Sequence, residues 1–514
     1  MTERVISVNR FPSIHERGEA MKKSTISRRR FLQLQAAAAG GLALSGCGIH
    51  RATVPAGGVS ESDPARRNTL FEELPACSSG EKLGEDEMRI TFMGTSCLPR
   101  LTQQGVSIYV EVGWDKEKKQ PLDYAILDCG MGVLANYIAM DIPYSRMDKI
   151  FLTHLHADHM SELSAIYCFG ESIDRKSPFY VWGPSASGVP DPVTGEIHAD
   201  GTRAALEHFR EVWRWHTEAF SFTNNGYQAY PYPTKESWGT PVDLVPVGPR
   251  YQTDSAGRPV GNRYADPLND SYALVPIELD WRKVGGVAYH NRTTGLKITH
   301  FPAIHCRKGS ISYKVEWTPP GRSEKLSVIY SGDTKPNYTM IEQSKGVDIL
   351  IHEMVVPPDV WARKIARLPR IVPIPRRIID YVTDVQNSSH TTQGAFGYLL
   401  SRIDPRPRLT IATHFQAQDD TIASARESLD RCNIPRNAYT FASDFMVFNL
   451  TRDAIRQRRA AVSRFAFAAP FRMHPDPQNM AKYHKPDGSG DPNAQIDNAD
   501  WIPYGPDTYD QKGY

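Results

Sequence analysis

The sequence predicts an α/β or α+β domain in which helices and strands form packed layers. Short runs of β-branched and aromatic residues recur from Met88 to about Leu450, and amphipathic helical patterns fall between several of them. The length supports this prediction, because 514 residues with 40% hydrophobic content can bury a large core. The strand-like runs are MRITFMG, SIYVEV, YAILDCG, KIFLTH, FYVWG, LKITHF, ISYKVEW, LSVIYSGD, VDILIHE, LTIATHF and FMVFNL.

Five stretches have the residue spacing of amphipathic helices. They run from Met131 to Met140, Ser161 to Phe169, Thr202 to Thr217, Thr391 to Ile403 and Thr421 to Arg431. Residues 183–295 contain fewer regular patterns and many Pro, Gly, Asn and Tyr residues, so we interpret them as a large insertion with one helix. The main domain is therefore expected over 88–450. A basic helix from Arg452 to Arg464 and an extended polar tail are expected within 451–514.

The first 47 residues have the features of an export signal. The segment MKKSTISRRRFLQLQAAAAGGLALSGC begins with basic residues at Met21, continues with a short Ala/Gly/Leu stretch and ends at Cys47. Ser27 to Leu32 resembles a twin-arginine signal, and Leu44 to Cys47 resembles a lipobox. We therefore expect an exported protein, either periplasmic or anchored to a membrane by a lipid on Cys47. A start at Met21 would make residues 1–20 a mis-assigned leader.

Composition, net charge and cysteine spacing exclude several classes of protein. Residues 48–87 are rich in Ser, Gly, Pro and charge without an apolar period, as in a linker. The formal net charge of +2 provides no global basic field for a nucleic acid, and no stretch after the signal is long and apolar enough to cross a bilayer. The remaining cysteines lack CxxC spacing, which predicts neither a disulfide framework nor a cysteine zinc site. These are Cys77, Cys97, Cys129, Cys168, Cys306 and Cys432.

The stretch THLHADHM, from Thr153 to Met160, contains three histidines and one aspartate directly after the apolar run that ends at Leu152. A strand that ends in His-x-His-x-Asp-His places four side chains on one sharp loop, where they can turn inward around cations. Imidazole nitrogen and carboxylate oxygen are good zinc ligands. The spacing therefore predicts a metal site with the ligands His154, His156, Asp158 and His159.

At this motif the chain resembles the metallo-β-lactamase superfamily, and the resemblance extends from about Met88 to Leu450. Met93 to Ser96 matches the first loop of the family, and Asp128 to Gly130 matches the end of its next strand. The resemblance implies an αββα sandwich, in which two packed β-sheets are flanked by helices, here with a large insertion.

The resemblance also implies three further metal ligands in later segments. HFPAIHCRKGSISYKVEW contains His305, which matches the family pattern of a histidine followed by a Ser and a Tyr better than its rival His300 does. YSGDT supplies Asp333, which resembles an aspartate that bridges two metals, and ATHF supplies His414. The implied cofactor is a pair of Zn²⁺ ions, although Mn²⁺ and Fe also suit His/Asp ligands. The resemblance implies one zinc held by His154, His156, His305 and Asp333, and a second held by Asp158, His159, Asp333 and His414.

A pair of zinc ions, as the resemblance implies, indicates an enzyme that catalyses hydrolysis. Two zinc ions a few ångströms apart lower the pKa of a shared water toward about 7 and polarise the oxygen of the scissile group. Asp158, bound to metal yet close to that water, could accept its proton. A metal-bridged hydroxide would then be the nucleophile.

NSSHTTQGA places His390 at an expected strand-to-helix turn, with Ser389 or Thr391 able to cap the helix. This histidine resembles the general acid of the ribonuclease Z and arylsulfatase-like branch, which assists departure of the leaving oxygen. A neutral imidazole near its unperturbed pKa would suit that role. His352 and Glu353 in LIHEMVV also match the branch, and we expect them to orient metal ligands.

The sequence thus predicts a dinuclear zinc-dependent hydrolase acting on a phosphodiester or sulfate ester of a small molecule. A lactonase or β-lactamase-like hydrolase is one alternative. A ribonuclease Z-like endonuclease is disfavoured, because the insertion has no Lys/Arg run to grip RNA and export separates the protein from transfer-RNA precursors. A non-enzymatic metal-binding lipoprotein would use Trp213, Trp215 and Trp238 as a partner surface. The expected partners are a small ester, the membrane through Cys47 and, as in related hydrolases, a second copy of the chain; no stable nucleic-acid partner is expected.

Overall fold

The computed structural model describes residues 81–175, 177–213, 216, 252–253, 259–260, 274–306, 308–369, 371–415 and 421–462. All of them belong to one unit, Asp63–Tyr514. The expected export signal over 1–47, most of the expected linker over 48–87 and the polar tail lie outside the described residues. Within these ranges, no helix combines the length and the apolar character needed to cross a bilayer.

The regular elements of the described residues alternate along the chain. The strands are β1 Met88–Gly94, β2 Ser107–Val112, β3 Asp123–Leu127, β4 Lys149–Phe151, β5 Phe179–Pro184, β6 Gln252–Thr253, β7 Pro259–Val260, β8 Leu274–Leu279, β9 Gly286–His290, β10 Leu296–Pro302, β11 Ile311–Trp317, β12 Leu326–Tyr330, β13 Ile349–Glu353, β14 Leu409–Thr413, β15 Tyr439–Phe441, β16 Met446–Leu450 and β17 Ile455–Arg459. The α-helices are α1 Val133–Ala139, α2 Ala157–Met160, α3 Leu163–Ile173, α4 Thr202–Val212, α5 Tyr338–Ser344, α6 Pro358–Ile365, α7 Arg376–Ser389, α8 Gln393–Arg402 and α9 Thr421–Arg431, and a 3₁₀ turn covers Tyr144–Arg146.

The strands form two large sheets. The first has the order β17-β16-β1-β2-β3-β4-β5-β8, and its strands from β3 to β8 run parallel to one another. The second has the order β15-β14-β13-β12-β11-β10-β9, and its strands from β12 to β15 are parallel. β6 and β7 form a separate antiparallel pair.

The main core lies between the two sheets. Side chains alternate across each strand, so Ile108 and Val110 of β2 point into this core while Tyr109 points to the opposite face. The aromatic centre of the core is a stack of Phe151 on Trp182, with ring centroids 4.4 Å apart. Burial of this apolar surface from both sheets supplies the driving force that holds them face to face.

Helices cover the outer face of each sheet. Residues of α1, α3 and α4 pack with the outward side chains of the first sheet, and residues of α5, α8 and α9 pack with those of the second. The layer order is therefore helix, sheet, sheet, helix. The predicted αββα sandwich is confirmed.

The C-terminal boundary of the domain needs correction. The sequence predicts a basic helix from Arg452 to Arg464, but the structure has strand β17 there, paired antiparallel with β16 at the edge of the first sheet. Ile455 is buried, and Arg458 forms an ion pair with Glu81. Pairing with β16 outweighs the helical tendency of the Arg/Ala composition, and the charged side chains suit an exposed sheet edge. The domain therefore continues past residue 450.

The expected insertion over 183–295 also contains structural strands. β8 is the edge strand of the first sheet and β9 is the edge strand of the second, so the C-terminal part of this segment belongs to the layered domain. The single expected helix is present as α4. The sequence patterns did not predict α2, α5, α6 or α7.

Candidate metal centre

The candidate site lies at the carboxyl ends of parallel strands in both sheets. The loop after β4 carries His154, the loop after β12 carries Asp333, and the loop after β14 carries His414. Glu353 is the last residue of β13. Loops at the carboxyl ends of parallel strands converge on the same edge, which is where open α/β sheets place their ligands.

The structure brings all seven sequence-predicted metal ligands together. One group joins the histidine side, defined as His154, His156 and His305, to Asp333. A second joins the carboxylate side, defined as Asp158, His159 and His414, to the same Asp333. In each group, ligand atoms of all members lie within 4.8 Å of one another.

Asp333 connects the two sides through separate oxygens. Its Oδ2 lies 3.9 Å from His154 Nε2 and 3.8 Å from His305 Nε2. Its Oδ1 lies 3.3 Å from His159 Nε2 and 3.2 Å from His414 Nε2. One buried carboxylate thus faces two histidine sets, which is the arrangement of a bridging ligand.

Hydrogen bonds at Nδ1, on the side of the ring away from Asp333, fix the orientations of His159 and His305. His159 Nδ1 donates to Asp128 Oδ2 at 2.7 Å, and His305 Nδ1 donates to the Ser389 carbonyl at 2.8 Å. With Nδ1 committed to these bonds, each ring turns its Nε2 toward Asp333. Hydrogen bonds of this kind set the tautomer of metal-binding histidines.

Asp128 holds the ligand loop together. Besides the bond to His159, its carboxylate accepts the Thr153 backbone N–H at 2.7 Å, the Thr153 hydroxyl at 2.8 Å and the Tyr330 hydroxyl at 2.7 Å. The Thr153 hydroxyl oxygen in turn lies 3.1 Å from His154 Nδ1. The sequence analysis recorded Asp128 only as the end of a strand, so its organising role is a finding of the structure.

Two local backbone features allow these loops to meet. Gly332 has a φ of 56°, and a Cβ at this position would lie 2.5 Å from the Cβ of Thr153, so only glycine lets the Asp333 loop approach the ligand loop. Asp128 and His414 adopt φ values of 57° and 65°, which are uncommon for residues with a side chain. Left-handed backbone at two site residues is the kind of strain found at functional sites.

The buried polar atoms of the cluster fit a bound cation. His154 Nε2, His159 Nε2 and Asp333 Oδ1 are buried and make no hydrogen bond within the described part of the chain. Leaving such atoms without a partner is costly, and native structures rarely tolerate it. Neutral imidazole nitrogens and a carboxylate oxygen converging on one space are the donor set that a divalent metal would satisfy.

The two sides differ in their electrostatics. Burial lowers the pKa of His154 and His156 below their usual values and lowers the pKa of His305 to about 4. Burial would also lower the pKa of His159, but the charges of Asp333 and Asp128 outweigh it and raise that pKa well above its usual value.

Neighbouring charges also shift the pKa values of His414 and Asp158, the other two members of the carboxylate side. For His414, Asp333 and the hydrogen bond to Asp158 outweigh burial and raise the pKa. For Asp158, burial alone would raise the pKa, but the hydrogen bond from His414 and the charge of His159 lower it. The Asp158 carboxyl is therefore ionised at neutral pH.

His390 lies at the edge of the cluster. Its Nδ1 donates to Glu353 Oε2 at 2.9 Å and lies 3.8 Å from Asp333 Oδ2. Burial alone would lower the pKa of His390, but the charge of Glu353 and the hydrogen bond to it raise this pKa to about 9. The expectation of a pKa near the unperturbed value is therefore wrong in this surrounding: the ring carries its proton at neutral pH.

The surroundings of His390 differ from the expected strand-to-helix turn. The residue lies between α7 and α8, so the turn joins two helices. Thr391 donates its hydroxyl to the Thr334 carbonyl, and Thr392 rather than Ser389 or Thr391 occupies the position before α8. Helix α7, which the sequence analysis missed, is what brings His390 to the cluster.

No family model matches the chain. The chain is 23% identical over 387 residues to ribonuclease BN of Escherichia coli, covering 71% of this chain and 100% of that protein. It is 23% identical over 304 residues to the mitochondrial tRNAse Z TRZ4 of Arabidopsis thaliana, covering 54% of this chain but only 28% of that protein. The solved metallo-β-lactamase fold protein YhfI of Bacillus subtilis is 13% identical, with a TM-score of 0.40, covering 71% of this chain and 100% of that one.

The similarity to ribonuclease BN extends over the full length of that protein, at low identity. The chain has the metallo-β-lactamase fold. The superfamily resemblance read from THLHADHM is thereby confirmed at the level of fold.

Two cavities open from the metal-ligand cluster. The larger has a volume of about 400 Å³; it reaches from the cluster residues Asp158, Asp333, His390 and His414 to apolar side chains. The smaller, of about 170 Å³, is lined by His154, His156 and His305 together with Pro184, Ser185, Ser187, Asp200 and Lys308. His156 and His305 line both cavities, so the histidine side separates an apolar space from a polar one.

Three residues near the motifs take other positions. His300, the rival of His305, is buried on β10, where Nε2 contacts the Asp280 carbonyl at 2.9 Å. His352 donates Nδ1 to the Glu353 carbonyl and packs on Phe396, so it does not face the metal ligands. Cys306 Sγ lies 3.6 Å from His156 Nε2, beside the cluster but outside both ligand groups.

Proposed function

We propose that this protein is a dinuclear metal hydrolase that cleaves a phosphodiester or sulfate ester. The observation that carries the proposal is the division of Asp333 between the two ligand sides, one oxygen to each. A site built for a single cation would have no use for a second, equally complete set of ligands. Zinc is the proposed metal because both sides are built from His and Asp.

Two divalent cations bound here would lower the pKa of a water between them and polarise the ester oxygen. The side chains then divide the proton transfers. Asp158 is ionised, lines the larger cavity and keeps 21% of its side chain exposed, so it is placed to accept a proton from the attacking water.

His390 acts on the leaving group. Because Nδ1 is committed to Glu353, the proton on Nε2 is the one available to a leaving oxygen in the larger cavity. The raised pKa keeps that proton in place at neutral pH. Glu353 is a positioning residue, since its Oε1 also accepts the Thr334 N–H and is held in place by it.

The bond type is proposed from two observations. The relatives named ribonuclease BN and tRNAse Z favour a phosphodiester. A general acid beside the metals favours a substrate whose leaving group departs, which lactones and β-lactams do not provide. An RNA substrate is the second candidate, favoured by the same names, whereas the non-enzymatic alternative leaves the partly exposed proton donor His390 without a purpose.

The test combines metal content with turnover. Purified protein should contain two zinc ions and hydrolyse bis(p-nitrophenyl) phosphate or p-nitrophenyl sulfate. His156→Ala should lose metal and activity, while His198→Ala, which removes an exposed histidine paired with Asp191, should keep both. Two bound metals without turnover of any ester or RNA would refute the enzyme. Unchanged metal occupancy in His156→Ala would refute the ligand assignment.

We further propose that the protein is exported and anchored through Cys47. The support is the order of the twin-arginine pattern and the lipobox in the sequence. Replacing Arg28 and Arg29 by Lys should block export of a folded reporter. Cys47→Ser should release the protein from membranes, whereas Cys77→Ser should not. Export that persists in the Lys variant would contradict the twin-arginine assignment.

A further inference from the structure

The walls of the larger cavity are apolar where it leaves the cluster. Val355 and Val356 follow β13, Trp361 comes from α6, and Val385 comes from α7, one turn before the end of the helix. Leu98 and Met131 line the same cavity. The wall is held together by Gln386, whose side-chain amide donates to the Val356 carbonyl at 2.8 Å. The apolar surface is therefore preformed.

Beyond the metal cluster and the protonated His390, the described part of the wall offers no positive charge. Among the described residues that line this cavity, none is Lys or Arg, and the ionisable side chains are the cluster residues and two cysteines. Binding of a polyanion depends on cations that neutralise successive phosphates. An apolar wall instead favours a group that gains from leaving water. The smaller cavity differs, since Lys308 and Asp200 line it.

The position of His390 relates the two cavities to the reaction. His390 lines the larger cavity and is absent from the lining of the smaller one. A general acid must lie within hydrogen-bond reach of the oxygen that departs. The departing group therefore lies in the larger cavity, and the retained group lies toward Lys308 and Ser185.

We infer that the preferred substrate carries a bulky, uncharged apolar leaving group, an aryl alcohol, bound between Trp361, Val356 and Val385. This inference rests on the proposed hydrolase function and names its substrate class. In the reaction, water oxygen bonds to phosphorus, the bond from phosphorus to the aryl oxygen breaks, and that oxygen leaves as the phenol with a proton from His390. The attacking water gives its proton to Asp158, so atoms and charges balance.

The test uses three phosphodiesters with the same methyl group and different leaving groups: phenyl, 2-naphthyl and 4-carboxyphenyl. Wild-type kcat/KM should be highest for 2-naphthyl and lowest for 4-carboxyphenyl, with about tenfold or more between them, as expected for discrimination by an apolar pocket. Calorimetry with the three free phenols should give the same order of affinity.

Substitutions in the wall of the larger cavity test whether the leaving group binds there. Val385→Lys should raise KM for the 2-naphthyl diester and lower it for the 4-carboxyphenyl diester. Tyr381→Lys is the matched control, because it adds the same charge one turn earlier on α7 at an exposed position outside the cavity. Trp361→Ala should raise KM for 2-naphthyl, whereas Val360→Ala, its neighbour outside the lining, should leave KM unchanged.

The outcomes separate the inference from the proposed function. If the wild type cleaves all three diesters with equal KM, or Val385→Lys and Tyr381→Lys shift KM alike, the leaving-group inference is wrong and the hydrolase stands. If the wild type cleaves no ester, the proposed function fails, and the order of phenol affinities then decides whether the cavity selects apolar groups.

Discussion

The histidine side and the carboxylate side of the metal centre share Asp333 but stand in different surroundings. Burial dominates the first, so its three rings are neutral at neutral pH. In the second, negative charge outweighs burial: Asp333 and Asp128 raise the pKa of His159, and Asp333, Asp158 and Glu353 raise the pKa of His414. Histidine ligands in one metal centre can therefore differ in the protonation that they have before metal binds. The histidine side is ready for a cation, whereas the carboxylate side must release protons to bind one.

The largest effect should come from the residue that the two sides share. Asp333→Asn removes the charge that faces both sets, so we expect both metals to be lost or severely weakened. Metal catalysis supplies several kcal/mol, so kcat/KM should fall by about 10³-fold or more. Metal analysis and ester turnover provide the measurement. Asp348→Asn, a buried change at the start of β13, is the control and should keep both metals. Retention of two metals in Asp333→Asn would show that the sides do not depend on a bridge.

His390 lies beside both sides without belonging to either ligand set. His390→Ala should lower kcat by about 10²- to 10⁴-fold on esters with poor leaving groups, because their departing oxygen needs a proton. Activated p-nitrophenyl esters should be affected much less, and metal content should stay at two. A leaving-group series measures this. Equal losses across the series would remove the general-acid role.

Substitution of Asp128 tests how far the metal affinity of each side depends on the hydrogen bonds that support its ligands. Asp128→Asn removes one acceptor from the network behind His159 and Thr153, and we expect metal affinity to fall by about 10- to 100-fold. The carboxylate side should weaken more, because its bond to Asp128 is direct. Zinc titration against a chromophoric chelator measures both affinities. Asp123→Asn, equally buried at the other end of β3, should lower stability but leave zinc affinity unchanged. Equal effects of the two variants would deny Asp128 a special role.

The smallest expected effect is that the two metals dissociate at different pH values. Histidines with raised pKa values bind protons more tightly, so acidification competes first with the metal on the carboxylate side. The rings of the histidine side have lowered pKa values, about 4 for His305, and stay neutral over the same range. Between about pH 8 and about pH 5 one zinc should therefore dissociate before the other. Dialysis at stepped pH followed by metal analysis measures this, and simultaneous loss of both ions would contradict it.

The sequence could predict the ligands because each lies next to a strand pattern. His154, His156, Asp158 and His159 lie in one short stretch that runs from the end of β4 into α2, so their proximity follows from local spacing alone. Asp333 and His414 follow apolar runs that end at the same sheet edge. The fold could be predicted for the same reason, since most strands of both sheets are visible as β-branched runs.

Other features depend on contacts that no local pattern encodes. The role of Asp128 arises where the loop after β3, the ligand loop and Tyr330 meet. The pKa of His390 depends on Glu353, which lies on another element. β17 is a strand because β16 offers it a partner, although the composition of Arg452 to Arg464 favours a helix. Tertiary pairing overrode local propensity there.

Anomalous X-ray scattering at the zinc edge from crystals of the zinc-loaded protein tests the central claim most directly. The account predicts two peaks, one among His154, His156, His305 and Oδ2 of Asp333, and the other among Asp158, His159, His414 and Oδ1 of Asp333. A single peak, or peaks away from Asp333, would contradict it.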